Sequence, residues 1–141
     1  MRVTALILSF LISFSSFSQS DVVSVKEKNN QVSTSNATID FESKVVDYGT
    51  IAHGSDGNRE FIFTNNGSEP LIIKNARASC GCTVPDWPKE PIMPGTTEKI
   101  KVNYATNRVG KFTKNITLTT NVDKKPVILT IKGDVSPPPN K

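Results

Sequence analysis

Apolar and polar residues alternate along much of this 141-residue chain. The clearest example runs from Lys99 to Tyr104, in the order Lys-Ile-Lys-Val-Asn-Tyr. A period of two places successive side chains on opposite faces of a strand. One apolar face beside one polar face is typical of an antiparallel sheet with a single packed side. No stretch shows the 3.6-residue period of an amphipathic helix. The pattern therefore predicts an all-β domain.

Turn-forming residues divide the alternating stretches into strands. Clusters such as Gly54-Ser55-Asp56-Gly57 and Pro94-Gly95 stand between them. The predicted strands are Ile39 to Phe41, Val45 to Tyr48, Arg59 to Thr64, Leu71 to Ala78, Thr97 to Tyr104, Lys111 to Thr119 and Val127 to Val135. About seven short strands in roughly 100 residues fit an Ig-like antiparallel sandwich of two sheets. The chain lacks the widely spaced cysteines that bridge the sheets of a true immunoglobulin domain, so packing must hold this sandwich.

The N-terminus has the pattern of a cleavable export signal. Arg2 precedes the apolar run from Val3 to Phe14, and Ser16 and Ser18 occupy the minus-three and minus-one positions of a cleavage site before Gln19. A transmembrane anchor needs about 20 apolar residues, and this run is shorter. We therefore expect residues 1–18 to be a signal peptide, the mature protein to lie in the periplasm or at the cell surface, and no segment to span a membrane.

The remaining chain is predicted to form one domain with a polar extension at each end. Residues 19–37 are rich in Ser, Asn, Lys and Gln, which is typical of a flexible leader. Residues 136–141 contain three consecutive prolines and predict a disordered, Pro-rich tail. The Ig-like sandwich is expected to cover residues 38–135.

The net charge is small and evenly spread. The chain carries 17 Lys and Arg against 13 Asp and Glu, a net charge of +4. Loss of residues 1–18 would remove only Arg2 and leave 16 basic and 13 acidic side chains, a net charge of +3. The basic residues form no run of the kind that binds nucleic acid or lipid headgroups. We therefore expect no nucleic-acid partner.

Both cysteines lie in one window, Cys80-Gly81-Cys82, directly after a predicted strand. Two thiols this close in an oxidising compartment pair with each other, bind a metal, pair with another molecule or are kept reduced. Closing so small a ring stabilises a fold by about 1.6 kcal/mol, against about 3 kcal/mol for a loop of about 15 residues. Stability alone does not explain the pair, and an exposed tight bridge is easily reduced. Gly81 supplies backbone freedom for ring closure or for metal coordination.

A metal site at Cys80 and Cys82 is a further hypothesis. Two thiolates can hold a soft ion such as Cu(I), which makes Cu(I) the one cofactor to consider. Zinc normally needs four ligands, and the chain has one histidine, His53, and no other cysteine. His53 lies in a predicted loop, where a solvated side chain is the usual outcome.

A proline-punctuated segment follows the cysteines. Pro85, Pro88, Pro91 and Pro94 recur every third residue, the period of a polyproline II helix, and enclose Trp87, the only tryptophan. One interpretation is a rigid binding loop that recognises a partner through Trp87, Pro85 and Pro88. The other is a crossover between sheets, with Trp87 packed on the edge of the sandwich.

Motifs of catalysis are missing from the sequence. Thioredoxin-like chemistry uses cysteines that are separated by two residues and lie at a helix N-terminus. Here one residue separates the cysteines, and a predicted strand precedes them. A single histidine gives no Ser-His-Asp arrangement, and there is no Gly-rich phosphate loop. We therefore expect a protein that is not an enzyme.

Several motifs together resemble domain-of-unknown-function family 1573. They are Tyr48-Gly49-Thr50-Ile51, Phe61 to Gly67, Pro70 to Ile73, Ser79-Cys80-Gly81-Cys82-Thr83, Pro91 to Gly95, Gly110 to Lys114 and Thr120-Asn121. The resemblance covers roughly residues 39–135 and implies an exported, bacterial Ig-like domain, of a type frequent in Bacteroidetes and similar in fold to major-sperm-protein-like sandwiches. It implies no activity.

Two functions from different classes remain open. The first is an exported, non-catalytic binding or structural module that recognises another exported protein or a glycan through its loops or an edge strand. The second is a thiol-based redox or Cu(I)-handling protein that acts through Cys80 and Cys82.

Overall fold

The computed structural model describes residues 36–139 as two packed four-stranded sheets. The strands are β1 (Asp40–Phe41), β2 (Val45–Ile51), β3 (Asn58–Thr64), β4 (Ile73–Ala78), β5 (Thr83–Asp86), β6 (Thr97–Tyr104), β7 (Gly110–Thr120) and β8 (Val127–Val135). The front sheet has the order β1-β3-β6-β5, and the back sheet has the order β2-β8-β7-β4. The predicted all-β, two-sheet sandwich is confirmed.

The core fills the space between the two sheets. Phe61, Phe63, Ile100 and Val102 enter it from the front sheet, and all are at most 1% exposed. Ile116, Leu118, Leu129 and Ile131 enter it from the back sheet and are fully buried. These are the apolar positions of the period-two pattern, so the alternation read from the sequence correctly predicts which face of each strand is buried.

The structure has eight strands where the sequence predicted about seven, because β5 lies where a proline loop was expected. β5 pairs antiparallel with β6 and places Pro85 beside Val102. Proline has no N–H to donate, so a sheet accepts it on an edge strand, where one side of the backbone faces away from the ladder. Between Pro91 and Pro94, Ile92 forms a two-way backbone bridge with Leu71 (both 2.8 Å).

The prediction of a wholly antiparallel sandwich is also incomplete. β2 pairs with β8 in parallel, whereas the other strand pairs within residues 36–139 are antiparallel. The chain crosses from β1 in the front sheet to β2 in the back sheet over only three residues, and β2 therefore lies beside the last strand. A bulge between Asp47 and Thr50 interrupts this ladder, with Gly49 at a φ of 62°.

Asn65 organises the end of the sandwich that is farther from the cysteines. Its side chain is fully buried and makes four hydrogen bonds to backbone groups, donating to the carbonyls of Glu69 and Ile92 and accepting from the N–H groups of Thr38 and Gly67. The side-chain amide of Asn65 thus supplies hydrogen bonds to backbone groups of three chain segments, around residues 38, 67–69 and 92, at a point where no strand pairing joins all three.

The ends of the predicted domain are partly visible. Ala37, the last residue of the predicted leader, is 2% exposed and packs in the core, so the folded domain includes it. Ser136, the first residue of the predicted tail, donates its N–H to the carbonyl of Ile51 (2.8 Å). The predicted signal peptide and the remainder of the leader lie outside the described residues. Between residues 36 and 139, no helix has the length and apolar character needed to cross a membrane.

Candidate functional site

Three connections meet at one end of the sandwich, which we call the loop end. They are residues 52–57 between β2 and β3, residues 79–82 between β4 and β5, and residues 105–109 between β6 and β7. The third connection lies between the other two. The Ala105 N–H donates to the carbonyl of Cys82 (2.9 Å), and the Thr106 carbonyl accepts from the N–H of Gly54 (3.1 Å). Backbone hydrogen bonds therefore hold the three connections together.

Cys80 and Cys82 form a disulfide in the connection between the two sheets, with their Cα atoms 5.3 Å apart. On one side, the Ser79 N–H donates to the carbonyl of Asn115 in the back sheet (2.8 Å). On the other side, Cys82 is held to Ala105 at the end of the front sheet. The tight ring thus lies where the chain passes from one sheet edge to the other.

The two sulfurs differ in their surroundings. Cys82 is 6% exposed and belongs to the core, whereas Cys80 is half-buried at its margin. The Thr83 hydroxyl lies 3.9 Å from the Cys80 sulfur and 4.0 Å from the Cys82 sulfur, within reach of a weak hydrogen bond to either. Gly81 is exposed at the tip.

Gly81 does not have the conformational role that the sequence suggested. Its φ is not in the positive range that favours glycine, and a Cβ added to it would meet no atom within 4 Å. An L-residue would therefore fit without strain. The expectation that ring closure requires glycine dihedrals is wrong for this geometry, and what Gly81 provides instead is open space beside the sulfurs.

An aromatic cluster supports the loop end from inside. Tyr104 stacks on Phe112 with ring centroids 3.8 Å apart, and Tyr48 meets both rings edge-on. The Arg59 guanidinium lies 4.4 Å from the centre of the Tyr48 ring, an arrangement typical of a cation–π contact. These rings form a rigid floor beneath the three connections.

Tyr48 also fixes the connection between β2 and β3. Its hydroxyl donates to the carbonyl of Gly57 (2.8 Å), which accepts from the Tyr104 N–H as well (3.0 Å). Burial raises the pKa of Tyr48 to about 12, because the ionised ring would lose its hydration, and the Arg59 charge only partly opposes this. Gly57 has no room for a side chain, since a Cβ would run into the Tyr104 carbonyl.

A cleft of about 430 Å³ opens between two of the three connections. Its walls are small and polar, and consist of Gly54, Ser55, Asp56 and Gly57 on one side and Asn103, Tyr104, Ala105, Thr106 and Asn107 on the other. The Ser55 hydroxyl is buried and makes no hydrogen bond within the described residues. The cleft therefore offers hydroxyl, amide and carboxylate groups but no exposed aromatic ring, because Tyr104 is only 4% exposed.

The other candidate residues lie away from the loop end. Pro85 is the third residue of β5. Trp87 and Pro88 follow β5, so the length of this strand separates those two residues from the disulfide. Trp87 is half-buried against the core, and the Lys89 ammonium lies 2.9 Å from the centre of its ring. A second cleft of about 300 Å³ lies beside Trp87 and Pro88 and includes charged side chains of β6. The ring is therefore largely covered by its own chain. The segment joins β5 to β6 within the front sheet, however, so the expected crossover between the two sheets is wrong for these residues.

The described residues hold no group of three or more His, Cys, Asp or Glu side chains that could bind a metal ion. His53 is exposed in the connection between β2 and β3, within the loop end. The Cu(I) hypothesis therefore requires that the disulfide open first, and it stays a prediction that rests on two thiolates alone.

Sequence reasoning missed Tyr48 and residues 105–107 as parts of the site. Tyr48 occupies an ordinary inward position of a strand, and its role depends on a carbonyl nine residues later. The Gly57 position carried a partial signal, because glycine beside a strand often marks close approach of another backbone.

Comparison with known proteins identifies the family. The model of the family described as "Protein of unknown function (DUF1573)" matches residues 39–135. The chain belongs to the DUF1573 family. The resemblance seen in the sequence is thereby confirmed, and the match covers all eight strands of this DUF1573 domain. No curated protein matches the sequence.

Solved structures with the same fold share little sequence with this DUF1573 protein. A protein of unknown function from Porphyromonas gingivalis W83 has a TM-score of 0.63 and 12% identity over 77% of this chain and 51% of that chain. The PapD-like domain 7 of human CEP192 has a TM-score of 0.61 and 9% identity over 83% of this chain and 98% of that domain. The VesB protease of Vibrio cholerae has a TM-score of 0.52 and 14% identity, with coverage of 72% and 32%. The chain thus spans about half of the first protein and a third of the last, and the similarity shows the fold alone.

Proposed function

We propose that this protein is an exported, non-catalytic module that binds another exported protein through its loop end. The observation that carries the proposal is the convergence of three hydrogen-bonded connections at the loop end, two of which line the polar cleft. Connections held on a rigid sandwich commonly carry binding function. Small residues such as Gly, Ser and Asn supply adaptable hydrogen bonding in loop-built protein-binding surfaces.

The cleft favours a protein partner over a glycan. Sugar rings usually pack their apolar faces on an exposed aromatic side chain, and the cleft has none. Its hydroxyl, amide and carboxylate groups instead match the alternating donors and acceptors of a peptide backbone. Trp87 could serve a glycan only after Lys89 had moved off its ring.

The edge strands favour the loop end over strand addition as the mode of binding. β1 has only two residues, β5 carries Pro85, β4 exposes Lys74 and Arg77, and β2 is interrupted by a bulge. Short strands, proline, charge and bulges are the features by which proteins prevent pairing with another chain.

The test compares two arginine substitutions at exposed asparagines. Proteins of the exported fraction that bind the full chain are identified by mass spectrometry, and the affinity of each purified candidate is then measured by calorimetry. Asn107→Arg fills the cleft and should weaken binding at least about tenfold, in the range of an interface hot spot. Asn75→Arg, on β4, should leave the affinity unchanged. Equal affinity of both variants, or binding only to a glycan array, would contradict the proposal.

A second candidate function is thiol-based redox chemistry at the disulfide. The observation that favours it is the half-buried position of Cys80 beside the exposed Gly81, in a ring too small to stabilise the fold by much. Mild reductant should release two thiols, measured by a chromogenic thiol reagent, while the circular dichroism of the domain stays unchanged. A bridge that opens only when the domain unfolds would contradict this candidate.

A further inference from the structure

Because the two cysteines are unequally buried, an attacking thiolate can reach one sulfur of the disulfide more easily than the other. Cys80 is half-buried at the margin of the core, Cys82 is 6% exposed, and Gly81 leaves open space at the tip of the ring. A thiolate that attacks a disulfide must come into contact with the sulfur to which it bonds. An incoming thiolate therefore has access to Cys80 and is kept from Cys82.

The backbone makes this difference a fixed property of the fold. The carbonyl of Cys82 is bound to Ala105, and Cys82 is followed directly by Thr83, which is 3% exposed and starts β5. Bringing the Cys82 sulfur to the surface would break the first ladder contact of β5 with Tyr104. Cys80 lies outside the β5 ladder, and its carbonyl accepts a longer hydrogen bond from the Thr83 N–H (3.4 Å).

We propose that Cys80 is the sulfur attacked by a thiolate of another exported protein or small thiol, and that Cys82 is the leaving and resolving sulfur. This inference rests on the second candidate function. In the first step the bond between the incoming sulfur and Cys80 forms, the bond between Cys80 and Cys82 breaks, and the electron pair stays on Cys82 as a thiolate. Attack of Cys82 on the mixed disulfide reverses the step. Alternatively, a second thiolate of the partner attacks the partner sulfur that is bound to Cys80. This step breaks the mixed disulfide, oxidises the partner to a disulfide and leaves both Cys80 and Cys82 reduced.

The neighbouring residues offset the cost of a thiolate on the buried Cys82. Burial disfavours the charged form of a thiol, but the Thr83 hydroxyl can turn its donor toward the sulfur from 4.0 Å. Lys114 is a candidate source of positive charge near the pair. The ladder of β4 and β7 ends at Ala78 and Ile116, and the hydrogen bond from the Ser79 N–H to the Asn115 carbonyl extends it by one residue toward Cys80 and Lys114. Lys114 is half-buried and has the inward strand parity of Phe112 and Ile116. A cation that reaches the pair would stabilise thiolate character there, and the second experiment tests whether Lys114 does so.

The first experiment identifies the attacked sulfur. The full chain is incubated with reduced glutathione, quenched with acid and digested, and the glutathione adduct is located by mass spectrometry. We expect the adduct on Cys80. In the single variants, the Cys80 thiol of Cys82→Ser should react with iodoacetamide at least about tenfold faster than the Cys82 thiol of Cys80→Ser. The adduct position is measured on the chain without substitutions, so this readout does not depend on whether either single variant folds.

The outcomes separate this inference from the function on which it rests. A bridge that stays closed while the domain is folded contradicts both the redox candidate and the inference. A bridge that opens with the adduct on Cys82, or equal alkylation of the two single variants, contradicts the inference alone.

The second experiment tests Lys114 as a positioning charge. Lys114→Gln should slow opening by glutathione about threefold, the size of a partly exposed charge interaction. Lys114→Arg should restore the rate, which a merely structural role would not predict because arginine is larger. Lys111→Gln, on the exposed face of the same strand, is the matched control and should react at the original rate. Equal rates for Lys114→Gln and Lys111→Gln would overturn the role of Lys114.

Discussion

Replacement of Tyr48 by Phe tests whether the hydroxyl under the cleft has the role that its geometry assigns. The change removes the hydrogen bond to Gly57 and keeps the ring against Phe112. The Gly57 carbonyl still accepts from the Tyr104 N–H, so no buried acceptor is left without a donor. We therefore expect a loss of about 1 kcal/mol in the free energy of unfolding near neutral pH.

The same substitution should remove a pH dependence. The pKa of Tyr48 is about 12 in the folded protein, against about 10 in an unfolded chain. The folded state thus favours the neutral ring, and this contribution is complete below about pH 10 and is lost as the pH rises toward about 12. Two pKa units correspond to about 2.7 kcal/mol, of which about half, or 1.4 kcal/mol, is lost by about pH 11.

Phenylalanine does not ionise, so the two stability curves should cross. The original protein is more stable by about 1 kcal/mol near neutral pH and loses about 1.4 kcal/mol by about pH 11, which places the crossing near that pH. Urea unfolding of both proteins at several values from about pH 8 to about pH 11 measures the difference, in which the titration of shared lysines cancels. A constant difference over this range would refute the reasoning.

Three further substitutions have outcomes fixed by the structure. Asn65→Ala removes one buried and three part-buried hydrogen bonds to backbone groups and should lower the free energy of unfolding by about 3 kcal/mol in a denaturant titration, whereas the exposed neighbour Asn66→Ala should lower it by less than about 1 kcal/mol. Gly57→Ala forces a Cβ against the Tyr104 carbonyl and should reduce the melting temperature sharply. Gly81→Ala places its Cβ in open space and should change the free energy of unfolding by no more than about 1 kcal/mol in either direction. Similar melting temperatures for the two variants would contradict the close contact at Gly57. Simultaneous Cys80→Ser and Cys82→Ser should leave the circular dichroism unchanged and lower stability by only about 1 to 2 kcal/mol, and an unfolded double variant would show that the bridge is a structural staple.

The fold was accessible from sequence because its determinants are local. A period of two fixes which face of a strand is apolar, and turn residues fix where each strand ends. The bounds of Thr97–Tyr104 and Val127–Val135 therefore agree with the structure to the residue. Pro85 misled the prediction because its tolerance depends on lying at a sheet edge, and no local pattern states which strands are edges.

Strand neighbours and the site were decided only by tertiary structure. The alternation in Val45–Ile51 is the same whether the partner strand is parallel or antiparallel, so the parallel pairing with β8 is visible only in the assembled back sheet. The sequence by itself determined that Cys80 and Cys82 lie two positions apart after a predicted strand, and it left open whether they pair with each other; the disulfide is a finding of the structure. The sequence could not determine that Cys82 is buried and Cys80 half-buried, nor that Ser79 is bound to Asn115 of β7, because those properties arise from contacts between segments far apart in the chain.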